Sequence, residues 1–406
     1  MKKQLSFIHA ADLHLDSPFK GLASAPDHVF QEIRESTFMA LQRLVDIAIE
    51  KRVDFILLAG DLFDNEKQSL KAQIRLRRAF EQLQKYGINI YLSYGNHDYI
   101  NGNIHPVTYP ENVFVFPNEK VSHFTFEKDN QKLAQIYGFS YENRAVTESK
   151  AKEYAISNAD IPFHIAMLHG SILSNTEHDV YAPFQLNDLL SSDIDYWALG
   201  HIHKREILKQ SPPIIYPGNI QGRNRKETGE KGCYHVILNE HDHELTFIPL
   251  QAIQFRSITI DVSACKQIHD LEKYILHEIK ETGTPILLDV TLKSNQPNLL
   301  EWENENLLED VIEIINESII DKQKWNFIFR LSVDVDPQQY SMDAVKGNHF
   351  IAELSRHFDE ESIQPYVREL FQHKQGRKYL ERLSDEEEIE IKDEAKQLLM
   401  NELLKG

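Results

Sequence analysis

The sequence predicts an α/β fold, and three observations lead to this class. In the first 250 residues, apolar runs of strand length alternate with longer amphipathic segments typical of helices. Five of the apolar runs lead directly into a polar motif, as strands do when they deliver side chains to one edge of a sheet. After residue 113 the apolar runs come closer together, which indicates mixed or antiparallel sheets beside the parallel strands.

The predicted elements follow one another along residues 1–251, which we expect to form one domain. Strands at residues 5–10, 55–59 and 90–94 are separated by helices at residues 29–52 and 68–85. Further strands are expected at residues 113–116, 123–127, 133–139, 163–168, 196–200, 214–216, 234–239 and 245–250.

The pattern changes after residue 251, where a second and smaller domain is predicted. Residues 252–340 contain strands at 255–262, 285–292 and 325–335 and helices at 266–281 and 300–321, which indicates an α+β capping domain. Residues 341–406 are predicted to form a helical tail. Within it, residues 384–387 (Ser-Asp-Glu-Glu) resemble a capping box, and an apolar stripe follows: Ile391, Ala395, Leu398, Leu399 and Leu403.

Composition argues against several classes of protein. No apolar run approaches the roughly 18 residues that span a bilayer, and the first residues lead directly into a charged motif, so we expect no membrane span and no signal peptide. Cys233 and Cys265 have no paired spacing, which favours a reducing cytoplasm. The net charge of −19 argues against broad nonspecific binding to nucleic acid, but it leaves room for a local phosphate site.

Five short motifs carry the residues that indicate a reaction. They are Asp12-Leu-His14, Gly60-Asp61, Gly95-Asn96-His97-Asp98, His169-Gly170 and Gly200-His201-Ile-His203. Side chains at positions i and i+2 of a strand point to the same side. Asp12 and His14, and likewise His201 and His203, are therefore expected to face one site. Because each motif follows a predicted strand, ligands far apart in the chain are expected to meet at the strand ends.

The ligand types predict a centre of two divalent metal ions. Asp61 is expected to bridge them, because the two oxygens of one carboxylate can hold cations about 3.5 to 4 Å apart. One ion would be held by Asp12, His14 and His203, and the other by Asn96, His169 and His201. Imidazole and oxygen ligands without thiolate favour Mn²⁺, Fe²⁺, Co²⁺ or Zn²⁺ over Ca²⁺, and Mn²⁺ is our first choice.

The predicted chemistry is the hydrolysis of a phosphate ester. A water between two such cations loses a proton near neutral pH and can attack phosphorus in line, so no covalent nucleophile is needed. His97 directly follows a metal ligand and is placed to protonate the leaving oxygen. A catalytic imidazole commonly has a carboxylate that fixes its tautomer, and Asp64 or Asp98 could provide it.

These motifs resemble those of the calcineurin-like metallophosphoesterase family, whose pattern is Asp-x-His, Gly-Asp, Gly-Asn-His-Asp/Glu, His and Gly-His-x-His. The resemblance covers roughly residues 5–220, and every ligand position is filled. Residues 8–15, 60–64 and 216–219 (Ile-His-Ala-Ala-Asp-Leu-His-Leu, Gly-Asp-Leu-Phe-Asp and Tyr-Pro-Gly-Asn) are most similar to the SbcD nuclease group, particularly its YhaO-like branch. Asn219 departs from the Ser common in that group, and residues 65–69 replace an Arg-Pro-Ser stretch.

The resemblance implies a four-layer α/β/β/α sandwich and a Mn²⁺-dependent DNA exonuclease or endonuclease subunit in DNA repair. It also implies a homodimer and a partner, an SbcC-like coiled-coil ATPase bound through the helical tail. Asp64 resembles the carboxylate that orients the catalytic histidine, here His97, in many members of the family. An amphipathic tail helix can also pack on its own protein, so both interpretations of the tail stay open.

Basic residues after the last metal motif are candidate contacts to a phosphate backbone. They are Lys204, Arg205, Arg223, Arg225 and Lys226, and His105 in the loop after the third motif is added to them. The arginines at positions 75, 77 and 78 are interpreted as a solvated helix face. Histidines outside the motifs are interpreted as core or surface residues, but a role at the site stays open for His105 and for His9, which lies three residues before Asp12.

Three functions are compatible with these features. The first is a Mn²⁺-dependent phosphodiesterase that acts on DNA ends or single strands together with an ATPase. The second is a phosphoesterase for a nucleotide or another small phosphate ester, and the third is a metal-containing scaffold for the ATPase. The additional domain and the tail favour the first and third functions over the second.

Overall fold

The fold was obtained as a computed structural model, which describes most of the chain up to residue 335. The described residues are 3–19, 22, 25–64, 68–103, 105–173, 181–279, 283–320 and 325–335, with positions 362, 363, 365–367, 388, 389, 391, 392 and 395 beyond them.

The described residues form strands and helices that alternate through much of the chain. The strands are β1 (Gln4–Ala10), β2 (Phe55–Ala59), β3 (Asn89–Ser93), β4 (Val113–Val115), β5 (Ser122–Lys128), β6 (Gln131–Gly138), β7 (Phe163–His169), β8 (Tyr196–Gly200), β9 (Glu206–Lys209), β10 (Ile214–Tyr216), β11 (Gly232–Asn239), β12 (His243–Pro249), β13 (Gln254–Asp261), β14 (Ile286–Ser294) and β15 (Asn326–Val335). The α-helices are α1 (Asp27–Lys51), α2 (Leu70–Gln84), α3 (Leu186–Leu190), α4 (Leu271–Glu278), α5 (Asn298–Asn304) and α6 (Leu307–Ile320).

Two six-stranded sheets contain most of the strands. The first has the order β12-β11-β1-β2-β3-β4, and the second has the order β5-β6-β7-β8-β10-β9. Strands β1 to β4 are parallel, as are β6, β7, β8 and β10. The remaining strands of both sheets pair antiparallel. The predicted α/β class with mixed sheets is therefore confirmed.

Alternate residues of the central strands pack into two different cores. In β1 and β2, Ile8 and Ile56 pack with helices α1 and α2. Their neighbours Phe7 and Phe55 belong to the core between the sheets, and their rings stack with 5.1 Å between centroids. Tyr196 of β8 meets Phe7 edge-on from the second sheet, whose opposite face is covered by α3 and loops. The layers are thus helix, sheet, sheet and helix, as the resemblance implies.

A third sheet, in the order β13-β14-β15, packs against helix α1. Phe255 and Leu287 share a core with Ile33 of α1. The indole N–H of Trp325 donates to the Glu32 carboxylate of the same helix at 2.9 Å. The first half of α1 therefore contacts this sheet, while its second half covers the first large sheet.

The helices that lie between the strands of the third sheet in the sequence are shorter than predicted. The helix expected at residues 266–281 is the two-turn helix α4, and the one expected at 300–321 is divided into α5 and α6. Asn306 lies between them with a φ of 58°. Asparagine is one of the few side chains that tolerate this left-handed conformation, and it ends helices for that reason.

Internal contacts divide the chain into two compact units. The first is residues 1–293 with 302–334, and the second is residues 294–301 with 335–406. The boundaries predicted at residues 252 and 341 stay a prediction. Within the part of the chain that the structure describes, no helix has both the length and the apolar character needed to cross a membrane.

The predicted tail is described at a small number of positions. The Glu388 carboxylate accepts hydrogen bonds from the Ser362 hydroxyl and the Ile363 N–H at 2.8 and 3.0 Å. Ile391 and Ala395 of the predicted stripe are exposed. The other stripe positions and the predicted capping box lie outside the described residues.

His9 is a core residue that connects the two large sheets. Its ring accepts a hydrogen bond at Nδ1 from the Tyr196 hydroxyl and donates from Nε2 to the Leu199 carbonyl, both at 3.0 Å. The side chain is fully buried. Burial lowers the pKa of His9 from its ordinary value of 6.5 to about 3, so the imidazole stays neutral in the folded protein at physiological pH.

The buried His9 is expected to make the protein less stable in mild acid. Because the unfolded chain binds a proton near pH 6.5 and the folded chain binds one only near pH 3, the stabilisation falls as the pH decreases between these values. From pH 7 to pH 5 the loss amounts to about 2 kcal/mol for this group. Urea unfolding at both pH values should show a smaller loss for His9→Gln, whose amide can keep both hydrogen bonds. An equal loss in both proteins would refute this explanation.

Candidate metal centre

The five motifs meet where strands β1, β2, β3, β7 and β8 end. Two groups of potential ligands form there, and within each group the ligand atoms all lie within 4.8 Å of one another. The groups are Asp12 with His14 and His203, and Asp61 with His169 and His201. Four of these side chains are buried, and the two histidines of the last motif are half-buried.

The first, second and last motifs lie beyond their strands, in a left-handed backbone conformation. Asp12 and His14 follow β1 with φ of 52° and 41°, and Asp61 and His201 follow β2 and β8 with φ of 50° and 97°. Main-chain hydrogen bonds hold this uncommon conformation: the Asp12 N–H donates to the Gly60 carbonyl at 3.1 Å, and the His14 N–H donates to the Asp61 carbonyl at 3.0 Å. The expectation that strand periodicity aligns these side chains is therefore wrong, because the motifs converge through turns.

Two of the motif glycines are required by close packing around the ligands. A Cβ on Gly60, which has a φ of 83°, would lie 2.2 Å from Nδ1 of His169. A Cβ on Gly95 would lie 2.2 Å from Oδ1 of Asp61 and 2.7 Å from Nε2 of His169. Any side chain at either position would displace a proposed ligand.

The second group of ligands presents lone pairs to one another. Nδ1 of His169 donates to the Ala59 carbonyl at 2.9 Å, so Nε2 of the neutral ring carries the lone pair. This Nε2 lies 3.0 Å from Oδ1 of Asn96 and 3.4 Å from Oδ2 of Asp61. Nδ1 of His201 lies 3.2 Å from the same Asn96 oxygen. Acceptor atoms this close together are stable only around a shared proton or a cation.

The first group has the same character. Nε2 of His14 and Nε2 of His203 lie 3.0 Å apart. Two nitrogens that are each about 2.1 Å from one cation, at a right angle, are separated by about 3 Å. Nδ1 of His14 has no hydrogen-bond partner among the described residues. The donor set and its spacing therefore fit a divalent cation.

The charged side chains of the centre influence one another strongly. Burial raises the pKa of Asp12. Burial acts in the same direction on Asp61, but His169 and His97 outweigh it and hold the pKa of that carboxyl well below its usual range. Burial opposes protonation of His169, yet the charge and hydrogen bond of Asp61 raise its pKa to about 9, so without a cation a proton occupies Nε2, and a bound cation would replace it. Asp61 is thus the carboxylate most firmly kept in its charged, ligand-competent form.

His97 lies beside this centre, with its ring edge-on to that of His14 and 5.0 Å between centroids. Its main-chain N–H donates to Oδ1 of Asp61 at 3.0 Å, and its ring Nδ1 donates to the main-chain carbonyl of Asp64 at 2.8 Å. The expected contact between His97 and the Asp64 carboxylate is therefore replaced by one to the backbone. Asp98 instead accepts from the N–H groups of Gly95 and Leu62, both at 2.7 Å, and so anchors the loop that carries His97.

The predicted phosphate contacts lie in different surroundings. Arg223 is largely buried and its guanidinium contacts the carboxylates of Asp64 and Glu227. Arg225 lies 3.8 Å from an oxygen of Asp289 in the third sheet. The Arg205 guanidinium lies over the ring of Phe247, 3.8 Å from its centroid. His105 is exposed on the loop after the third motif, and Arg75 of helix α2 pairs with Glu35, as expected for a helix face.

Glu227 lies outside the five motifs, and its position at the site was not predicted from the sequence. Its Oε1 accepts a hydrogen bond from Nδ1 of His203 at 2.8 Å, and its Oε2 accepts from the Asn219 amide at 2.7 Å. A carboxylate that orients a metal-binding histidine is common, but this one lies 24 residues after its histidine. The signal for Glu227 in the sequence was Asn219, which departs from the Ser common in the similar group. The Asn side chain is longer than that of Ser, so its amide can reach and hold a carboxylate.

The fold and this arrangement define a class of protein. The chain belongs to the calcineurin-like phosphoesterase family, whose model matches residues 5–205. It is a metal-dependent phosphoesterase, and the resemblance inferred from the motifs is confirmed.

Among its relatives is the uncharacterized metallophosphoesterase YhaO of Bacillus subtilis (strain 168), with 38% identity over 407 residues and 99% of both chains covered. The chain is also 26% identical over 235 residues to the DNA double-strand break repair protein Mre11 of Sulfurisphaera tokodaii, covering 55% of this chain and 57% of that protein. The Mre11 protein of Thermoplasma acidophilum is 22% identical over 322 residues, covering 73% of this chain and 81% of that protein.

Proposed function

We propose that this protein is a Mn²⁺-dependent phosphodiesterase that cleaves DNA at ends or in single strands. The observation that carries the phosphodiesterase assignment is the convergence of two ligand groups on Asp61, with His97 beside them. The DNA assignment is supported by relatives that bear the name of a DNA double-strand break repair protein.

We assign the ligands as two sets that share Asp61. Its Oδ2 lies 3.8 Å from Nε2 of His14 in the first group and 3.4 Å from Nε2 of His169 in the second, so one carboxylate reaches both. The first ion would be held by Asp12, His14 and His203, and the second by Asn96, His169 and His201. When bound, two such ions would activate the attacking water and offset the charge on the phosphoryl oxygens. Nitrogen and oxygen donors without thiolate favour Mn²⁺, Fe²⁺, Co²⁺ or Zn²⁺ over Ca²⁺, and we propose Mn²⁺ as the first choice among them.

His97 is proposed as the general acid for the leaving oxygen. Its Nδ1–H is held by the Asp64 carbonyl at 2.8 Å, which fixes the ring plane and leaves Nε2 to exchange a proton with the substrate. Its main chain is held by Asp61 at 3.0 Å, so the acid and the shared ligand keep a constant relation. These two contacts support a role for His97 as a proton donor that is not itself a ligand.

His97→Ala is expected to lower the rate of hydrolysis of bis-p-nitrophenyl phosphate by about 10² to 10⁴-fold in the presence of Mn²⁺. Mn²⁺ binding, measured by calorimetry, should change little because His97 is not a proposed ligand. His123→Ala, which removes a histidine far along the second sheet, serves as the control. Unchanged hydrolysis by His97→Ala would refute the acid role.

The substrate class is tested with labelled duplex DNA, single-stranded DNA and free nucleotides, each with Mn²⁺. The wild-type protein should degrade DNA, and His97→Ala should not. The proposed partner, an SbcC-like coiled-coil ATPase, should co-purify with the chain and increase the rate on duplex ends. If nucleotides are hydrolysed and DNA is untouched with and without that ATPase, the nuclease proposal fails and a small phosphate ester is the substrate.

A further inference from the structure

We infer that Glu227 and Arg223 compete for Nδ1 of His203, and that Glu227 fixes the tautomer in which Nε2 is able to bind a metal ion. Glu227 is thus a positioning residue. The inference rests on the proposed metal centre, and it adds a determinant of metal affinity that lies outside the five motifs.

The competition is visible in the contacts of Nδ1 of His203. Oε1 of Glu227 lies at 2.8 Å and Nη2 of Arg223 lies at 3.2 Å from this nitrogen. A carboxylate oxygen only accepts, whereas a guanidinium nitrogen only donates. Since one nitrogen cannot donate to Glu227 and accept from Arg223 at once, the shorter contact indicates that Nδ1 carries the proton. The lone pair is then on Nε2, which faces Nε2 of His14 at 3.0 Å.

Glu227 is held so that it wins this competition. Its Oε2 accepts from the Asn219 amide and from the main-chain N–H of Arg223, both at 2.7 Å. The side chain is therefore an acceptor that is fixed at both oxygens.

Arg223 has a second effect, because it connects Glu227 to Asp64, the residue that orients His97. Its Nη1 contacts the carboxylate of Asp64, whose main-chain carbonyl orients His97, and its Nη2 reaches Glu227 at 3.4 Å. Without Glu227, the guanidinium would remain beside His203 as the strongest donor. It would then favour the ring with the proton on Nε2, which points an N–H at the metal position.

The experiment measures Mn²⁺ binding by calorimetry and the tautomer of His203 by ¹⁵N-histidine NMR of the metal-free protein, with the signal assigned through a His203→Gln variant. Glu227→Ala should weaken the binding of one Mn²⁺ ion by about 10 to 100-fold and move the proton of His203 from Nδ1 to Nε2. Glu230→Ala, which removes an exposed carboxylate three residues away, is the matched control and should change neither quantity.

The double variant Glu227→Ala with Arg223→Met distinguishes competition from general damage. If Arg223 imposes the wrong tautomer, the double variant should bind Mn²⁺ at least about fivefold more tightly than Glu227→Ala. A coupling of this size is expected for residues in contact. An unchanged tautomer in Glu227→Ala, or a double variant that binds Mn²⁺ still more weakly, would overturn the inference. If Glu227→Ala does not fold, Glu227→Gln is the second variant to measure. It keeps an acceptor oxygen and should retain the Nδ1–H form of His203. A protein that binds Mn²⁺ but cleaves no DNA would refute the proposed function and leave this test intact.

Discussion

Asp61→Asn is expected to lower the hydrolysis of bis-p-nitrophenyl phosphate by at least about 10³-fold and to remove one of two bound Mn²⁺ ions. A loss of this size corresponds to about 4 kcal/mol of transition-state stabilisation, within the several kcal/mol that metal ions supply. The reason is local. The substitution keeps an oxygen for the N–H of His97, but it places an amide donor 3.4 Å from Nε2 of His169, where a carboxylate oxygen was.

The amide and the imidazole would then satisfy each other by a direct hydrogen bond, and the reason for a cation between them would disappear. Steady-state kinetics and calorimetric stoichiometry measure the two effects. Asp129→Asn, in an exposed turn between β5 and β6, is the control and should behave like the wild type. If Asp61→Asn still binds two ions and hydrolyses the reporter within about threefold of the wild-type rate, Asp61 does not bridge the two sets of ligands.

Gly200→Ala is expected to destabilise the protein by about 3 kcal/mol or more, which lowers the melting temperature of a chain of this size by at least about 3 to 5 °C. A Cβ at this position would lie 1.9 Å from the Ala59 carbonyl oxygen and 2.9 Å from Nδ1 of His169. The Ala59 carbonyl also accepts the hydrogen bond that orients His169. The two sheets would have to move apart at the point where the ligands meet, so Mn²⁺ binding should weaken as well.

The control for this variant is Gly87→Ala, between helix α2 and strand β3. There a Cβ meets no atom within 4 Å, although the φ of 71° costs about 1 to 2 kcal/mol for an L side chain. Calorimetric melting of both variants therefore separates close packing from backbone strain. Equal melting temperatures for the two variants would show that the sheets tolerate a methyl group at residue 200.

The residues of the metal centre could be predicted from the sequence, because side chains that bind metal ions occur where predicted strands end. Asp12 and Asp61 follow mostly apolar strands and His169 ends one, and parallel strands buried on both faces end at a common edge. Their carboxylate and imidazole side chains are also of the types that jointly bind divalent ions. The layers of helix and sheet could be predicted from the same runs and from the resemblance of the motifs.

Other parts of the centre depend on distances that a sequence does not contain. Glu227 lies 24 residues after His203, beyond strands β9 and β10, and its role depends on how the segment after β10 brings it against the Asn219 amide. The sequence likewise predicted a carboxylate on His97, whereas the main-chain carbonyl of Asp64 makes the contact because Arg223 occupies the carboxylate. Which atom of a residue makes a contact is decided by its neighbours in space.

The most direct test of the account is a crystal structure of the Mn²⁺-loaded protein, with anomalous diffraction at the manganese edge. Two peaks about 3.5 to 4 Å apart are expected. One should be bound by Asp12, His14 and His203 and the other by Asn96, His169 and His201, with an oxygen or both oxygens of Asp61 between them. A single peak, or two peaks that Asp61 does not join, would contradict the two-metal centre on which the proposed function depends.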